Sequence, residues 1–114
     1  MELNVENLEY INIEDALGRI GGNMDLYKRL LGRFLDGNYL EPLNNALSGG
    51  DKEEAARLAH TLKGVCANLS LVKLRTLTTE VEQLIKDNKD CSSHLEELKR
   101  AYDTTAEKIA EITG

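Results

Sequence analysis

The chain has little of what strand-rich proteins are usually built from. It contains no tryptophan, one phenylalanine and one proline, and aromatic residues make up 4% of its 114 residues. Aliphatic side chains must therefore fill the interior, and Leu, Ala, Glu and Lys are plentiful while Val and Ile are few. This composition favours helices over strands. We predict an all-α protein, and the length fits a single domain over residues 1–114.

The charge pattern and the lack of long apolar runs exclude two classes of partner. The formal net charge is -6 and no cluster of Lys and Arg is present, so nucleic acids and anionic membranes would be repelled. No apolar run approaches the roughly 20 residues of a membrane-spanning helix. The N-terminus, MELNVENLEY, also lacks the basic and apolar regions of a signal peptide. We expect a cytoplasmic protein that neither binds nucleic acid nor inserts into a membrane.

Cysteine and histidine are too scarce for a disulfide framework or a metal site. Cys66 falls among apolar residues and is expected in the core, whereas Cys91 follows a polar stretch and is expected in an exposed loop. A metal site needs several converging ligands, and His60 has no His or Cys four residues on and no acid three or four residues on. We expect neither a metal nor a cofactor in this chain.

Stretches rich in glycine and asparagine divide the chain into helical segments. A short segment from Ile13 to Ile20 precedes a helix that starts near Asn23. Gly37 and Asn38 interrupt that helix. The part that follows, around Pro42, is therefore either a separate helix or a kinked continuation.

Three longer helices follow, and each carries one apolar stripe at helical spacing. Asp51 is predicted to cap the first of them, with Glu54 as the reciprocal acid. Ser93 and Glu96 are predicted to form a capping box at the start of the last. Single stripes and short connections predict an antiparallel up-and-down four-helix bundle, with a short additional N-terminal helix across one end.

His60 lies outside the apolar stripe of its helix. At about 100° per residue, the apolar side chains of this helix gather on the side opposite His60. The neighbours on its own face are Ala56, Gly64 and Ala67, where an exposed helix normally carries long polar side chains. Gly64 also costs the helix roughly 1 kcal/mol relative to Ala. This indicates that another molecule approaches closely at Gly64, and the alternative is tight packing against a neighbouring helix.

Charged residues flank the same face. Lys63 lies one turn after His60, where its ammonium group would reach the oxygens of a phosphoryl group on the imidazole. The alternative is an ordinary solvated lysine. Arg57 and Glu53 are placed to meet charges of a partner, although solvation is the default for both. His94 has neither Lys nor Gly at the matching offsets and is predicted to be a surface residue.

The stretch HTLKG at residues 60–64, inside a helical bundle, resembles the signature of the histidine-containing phosphotransfer (HPt) domains of multistep phosphorelays. Residues 16–23 are similar to the entry segment of such domains, and the resemblance covers nearly the whole chain. One departure is Ser70, where the family often has Gly. Serine tolerates a left-handed turn less well, so we expect this end of the helix to have a different shape.

The resemblance implies that His60 accepts a phosphoryl group from an aspartyl-phosphate on a response-regulator receiver domain and passes it to an aspartate of another receiver. Lys63 would balance the phosphoryl charge, and Gly64 would leave His60 accessible to the receiver domain. The expected docking residues are Glu53, Ala56, Arg57 and Ala67. Mg²⁺ would be bound by the receiver domain. The other expected partner is a hybrid sensor histidine kinase, and the chain would be a monomeric phosphoryl carrier without kinase activity.

Two alternatives remain open. The chain is either a carrier of this kind or a phosphotransfer module of the chemotaxis-kinase type, which shares the motif. From another class, it is a helical docking protein whose His60 is never phosphorylated. A histidine kinase core is disfavoured, because Thr61 stands where such a helix usually has an acid and no ATP-binding domain is present.

Overall fold

The computed structural model describes residues 9–114. They contain six α-helices with bounds from Ile13 onward, Glu9 and Tyr10 are also helical, and these described residues form no strand. The predicted all-α class is confirmed. Residues 1–8, which include most of the stretch used to argue against a signal peptide, lie outside the described residues. Within residues 9–114, no helix is both long enough and apolar enough to cross a membrane. The helices are α1 (Ile13–Arg19), α2 (Met24–Asp36), α3 (Leu40–Ser48), α4 (Lys52–Asn68), α5 (Val72–Lys86) and α6 (Ser92–Thr113).

The four-helix bundle consists of α4, α5, α6 and a fourth position that α2 and α3 occupy in succession. α4 and α5 share the most extensive contact, and the three residues that join them require an antiparallel arrangement. α6 packs on both α5 and α2, while α3 packs on α4. The predicted helical bundle is therefore confirmed. Its interior is mainly aliphatic, and the largest fully buried side chains include Tyr27, Phe34, Leu31, Leu43, Leu62, Leu71, Leu74, Leu98 and Ile109.

The short helix α1 is hydrogen-bonded to the turn between α4 and α5, at one end of the bundle. The backbone N–H of Asn12 donates to the carbonyl of Ser70 (2.9 Å). The hydroxyl of Ser70 donates to the carboxylate of Asp15 (2.7 Å). The buried hydroxyl of Tyr27 donates to the carbonyl of Leu69 (2.7 Å) and ties α2 to the same turn. The position predicted for the N-terminal helix is confirmed by these bonds.

α2 and α3 are separate helices rather than one kinked helix. Gly37 ends α2 with extended backbone angles (φ -77°, ψ 148°), and α3 begins three residues later. The ring of Tyr39 in the break stacks on Phe34 with a centroid distance of 5.3 Å. Phe34 in turn lies 5.4 Å from the ring of Tyr102 on α6. Aromatic contacts therefore hold the break against the rest of the bundle.

The predicted cap of α4 is present, and α2 has a cap of the same kind. Asn23 and Asp51 each accept a hydrogen bond from the backbone N–H three residues on, at 3.0 and 3.1 Å. These bonds satisfy donors that have no partner inside the helix. The carboxylate of Glu54, predicted to bond back to the cap, instead accepts a hydrogen bond from Arg57.

The predicted start of α6 is wrong. The helix begins at Ser92, whose N–H and hydroxyl both donate to the carboxylate of Asp90, at 3.0 and 2.6 Å. Ser93 therefore does not cap the helix. Cys91, predicted in an exposed loop, is only 7% exposed. The tight turn at Asp90 directs Cys91 towards the core, and local sequence polarity does not reveal this.

α4 is followed by a residue with left-handed backbone angles, at a position that glycine usually occupies. Ser70 adopts a left-handed conformation (φ 55°) and is buried. The N–H of Leu71 donates to the carbonyl of Cys66 (2.9 Å), as in a helix end closed by a left-handed residue. The expected difference in shape at this end is therefore wrong. The hydroxyl bond from Ser70 to Asp15 offsets the strain of this backbone conformation.

Candidate functional site

α4 presents His60 to solvent, as its position on the helix predicted. The His60 side chain is 69% exposed, and Gly64 on the same face is also exposed. On the opposite side, Ala59, Leu62 and Cys66 are at most 1% exposed. The helix therefore supports the imidazole from a packed core while leaving the ring accessible.

A buried carboxylate from the neighbouring helix lies against His60. Glu82 of α5 has a side chain that is only 5% exposed, and its Oε2 lies 3.1 Å from Nδ1 of His60. Nζ of Lys63 lies 2.6 Å from Oε1 of the same carboxylate. Nζ of Lys86 lies 3.0 Å from its Oε2. One carboxylate thus joins an imidazole and two ammonium groups, and it bridges α4 and α5.

The charge of Glu82 determines which nitrogen of His60 carries the proton. Burial raises the pKa of Glu82, but the hydrogen bonds and positive charges of Lys63 and Lys86 outweigh burial and lower it to about 2. The carboxylate is therefore ionised at neutral pH and can only accept a hydrogen bond. Nδ1 of His60 must be the donor, so a neutral ring keeps its free lone pair on Nε2.

We expect the ionised Glu82 to make the stability of the protein sensitive to acid. Its folded-state pKa of about 2 lies below the ordinary value of 4.5. The stabilisation is therefore fully present above about pH 4.5 and is lost as the pH falls towards 2. Urea unfolding should show that the stability difference between wild type and Glu82→Gln shrinks by about 2 kcal/mol over that range. A difference that stays constant from neutral pH to the acid limit would contradict the assignment.

Lys63 has a structural partner that the sequence did not reveal. Its side chain is 30% exposed and contacts the buried Glu82, so it is not an ordinary solvated lysine. Sequence reasoning missed both Glu82 and Lys86. The available signal was the position of Glu82 between Val81 and Ile85, within the buried stripe of α5. An acid at such a position requires cationic partners.

Gly64 does not provide space for a neighbouring helix. A Cβ atom added there would meet no heavy atom within 4 Å, apart from its own helix backbone and its chain neighbours. The alternative that Gly64 permits tight helix packing is therefore wrong. The open surface remains available to another molecule.

The residues predicted for docking lie on the same helix but in different environments. Glu53 and Arg57 are exposed, and the Arg57 guanidinium donates to the carboxylate of Glu54, which raises the pKa of Arg57. Ala56 and Ala67 are half-buried. Their exposure leaves Glu53 and Arg57 accessible to a partner.

The surface of α4 that carries His60 is partly covered at the end nearest α1, which the sequence did not predict. Arg19 of α1 donates a hydrogen bond to the carbonyl of Ala67. Arg19 also forms an ion pair with Asp15 on its own helix (3.2 Å). A molecule that covers Ala67 would therefore also meet Arg19.

Comparison with known families agrees with this architecture. The family model described as Hpt domain matches residues 29–108, from within α2 to within α6. The chain belongs to the Hpt domain family. Hpt domains are phosphocarrier modules that act in histidine phosphotransfer and interact with receiver domains and kinases in phosphorelays. The comparisons with curated proteins and with solved structures gave no match.

The second histidine of this Hpt domain has a different environment. The His94 side chain is 36% exposed, and its Nε2 lies 3.5 Å from the carboxylate of Glu80. Lys63 and Lys86 both contact Glu82 instead. In the part of the chain that the structure describes, no three His, Cys, Asp or Glu side chains are grouped so that they could hold a metal ion.

Proposed function

We propose that this Hpt domain carries a phosphoryl group on Nε2 of His60. The group is accepted from an aspartyl-phosphate of a receiver domain and is then passed to an aspartate of another receiver. The observation that carries the proposal is the exposed imidazole whose Nδ1 bonds to the ionised, buried Glu82. That bond directs the nucleophilic lone pair of Nε2 away from Glu82.

The transfer step follows from this arrangement. The Nε2 lone pair attacks the phosphorus of the acyl phosphate, and the bond from phosphorus to the aspartate oxygen breaks. The receiver carboxylate leaves with the bonding electrons, and a P–N bond forms. Positive charge develops on the imidazole ring, and Glu82 stabilises it through the hydrogen bond to Nδ1–H. Transfer to the second receiver reverses these changes.

The receiver domain supplies what this chain does not. In the proposal its acidic pocket holds Mg²⁺, which offsets charge in the transition state. The Hpt domain contributes the imidazole, the nearby ammonium groups and the open surface at Gly64. Docking residues would be Glu53, Ala56, Arg57 and Ala67. The proposal also includes action as a cytoplasmic monomer, with residues 1–114 as one domain and a hybrid sensor histidine kinase as a partner.

Phosphotransfer from a receiver domain tests the proposal. A receiver carrying a radiolabelled phosphoryl group is incubated with the Hpt domain, and the products are treated with acid or alkali. We expect label on the Hpt domain that is lost in acid and retained in alkali, as for a phosphohistidine. A panel of phosphorylated receivers that leaves the protein unlabelled would support the helical docking protein instead.

We expect Lys63→Ala to slow transfer and to lower stability. The phosphoryl oxygens lose a cation, and Glu82 keeps only Lys86 as its ammonium partner. The free energy of unfolding should fall by about 1 kcal/mol. Stopped-flow transfer rates and urea unfolding measure the two effects.

Lys99→Ala is the matched control for Lys63→Ala. It removes the same charge from an exposed pair with Asp103 on α6, where the two charged groups lie 2.8 Å apart. Its effect on stability should stay below about 0.5 kcal/mol, and transfer should be unchanged. Equal behaviour of the two variants would remove Lys63 from the site.

A further inference from the structure

Both ammonium groups near His60 are already engaged by Glu82. Lys63 contacts its Oε1 at 2.6 Å, and Lys86 contacts its Oε2 at 3.0 Å. A phosphoryl group on His60 carries a charge of about -1.5 to -2 and attracts the same cations. The lysines cannot pair fully with the phosphoryl group while they also neutralise a buried carboxylate.

Building on the proposed function, we infer that Glu82 is a positioning residue that sets the phosphotransfer equilibrium. It competes with the phosphoryl group of His60 for Lys63 and Lys86, and this keeps the phosphohistidine ready to donate. The carboxylate acts through the two lysines, and not only through its hydrogen bond to the imidazole.

The direction of the effect follows from the charges. Two lysines and one carboxylate give the cluster a net charge of +1 when the imidazole is neutral. Replacing the carboxylate with an amide raises that charge to +2 and frees both ammonium groups. The amide no longer stabilises the positive charge on the ring, but the phosphoryl group brings a charge of about -1.5 to -2, which exceeds the single positive charge of the ring. Removing one negative charge from the cluster therefore favours the phosphoryl group on His60. A single charge about 4 Å away, screened as strongly as in bulk water, shifts an equilibrium constant by roughly fivefold.

The side chains at the cluster are able to make this exchange. Lys86 is 55% exposed and Lys63 is 30% exposed, so both can move their ammonium groups towards solvent. Glu82 is only 5% exposed and stays in place. The ammonium groups of Lys63 and Lys86 can therefore move from the carboxylate of Glu82 to a phosphoryl group on His60.

The test measures the equilibrium constant for transfer between a receiver domain and the Hpt domain, for wild type and Glu82→Gln. Glutamine keeps an acceptor for the Nδ1–H of His60 but removes the charge. We expect Glu82→Gln to shift the equilibrium roughly fivefold towards phosphohistidine, with a smaller shift at high salt. An unchanged equilibrium constant would overturn the inference. Absence of label on the wild-type protein would instead overturn the proposed function.

Two further variants separate this role from a purely structural one. Glu80→Gln removes the same charge from the same helix, but Glu80 contacts His94 rather than the lysines, and it should leave the equilibrium unchanged. Lys86→Gln removes a cation, so it should shift the equilibrium away from phosphohistidine and reduce the effect of Glu82→Gln in the double variant. An undiminished effect in the double variant, or an equal effect of Glu80→Gln, would contradict action through the lysines. Lys86→Gln alone still tests the inference if Glu82→Gln does not fold.

Discussion

His60→Gln should abolish phosphoryl labelling of this Hpt domain, whereas His94→Gln should leave it intact. His60 has an exposed ring that bonds through Nδ1 to a buried carboxylate, with two lysines on the same carboxylate. His94 is more buried and faces the exposed carboxylate of Glu80. Glutamine at position 60 retains a polar side chain but offers no nucleophilic nitrogen. The measurement is transfer of label from a phosphorylated receiver to each variant.

The loss of label must not result from unfolding. His60 is mostly exposed, so His60→Gln should change the free energy of unfolding by no more than about 0.5 kcal/mol. Circular dichroism and thermal melts check this before the transfer assay. Label that persists in His60→Gln, or that disappears in His94→Gln, would show that the phosphoryl group is carried elsewhere.

Gly64→Gln should leave the helix folded but sharply reduce the rate of transfer. An added Cβ meets nothing within 4 Å, and Gly64 is exposed, so a side chain at this position begins in open space. It would extend over the surface next to His60 and obstruct an approaching receiver domain. Gly64→Ala should stabilise the protein by up to about 1 kcal/mol, because alanine favours the helix and its methyl group enters open space.

Gly32→Gln on α2 is the matched control for Gly64→Gln. Gly32 is also a helical glycine with nothing within 4 Å of an added Cβ, but its helix packs against α6 rather than carrying His60. It should keep the wild-type transfer rate. A lower melting temperature for Gly64→Ala, or equal transfer by Gly64→Gln and wild type, would contradict the role of Gly64 as an open docking surface.

Errors in the sequence prediction occurred where distant segments meet. Cys91 follows polar residues, yet it packs into the hydrophobic core with residues of other helices. Ser70 keeps the left-handed helix end because Asp15, 55 residues away, accepts its hydroxyl. Neither outcome is encoded in the neighbouring residues alone.

The sequence by itself determined the helical class, the start of a helix near Asn23, the cap at Asp51, and the outward position of His60. Each depends on spacing within a few residues, which helical periodicity converts directly into a direction. Only the tertiary structure brought Glu82 to His60, across 22 residues of chain, and assigned Lys63 and Lys86 to the same carboxylate. Only the packed bundle showed that the space at Gly64 is empty. These features depend on how α4 and α5 pack against each other, because a helix periodicity specifies which face is buried but not which side chains meet across it.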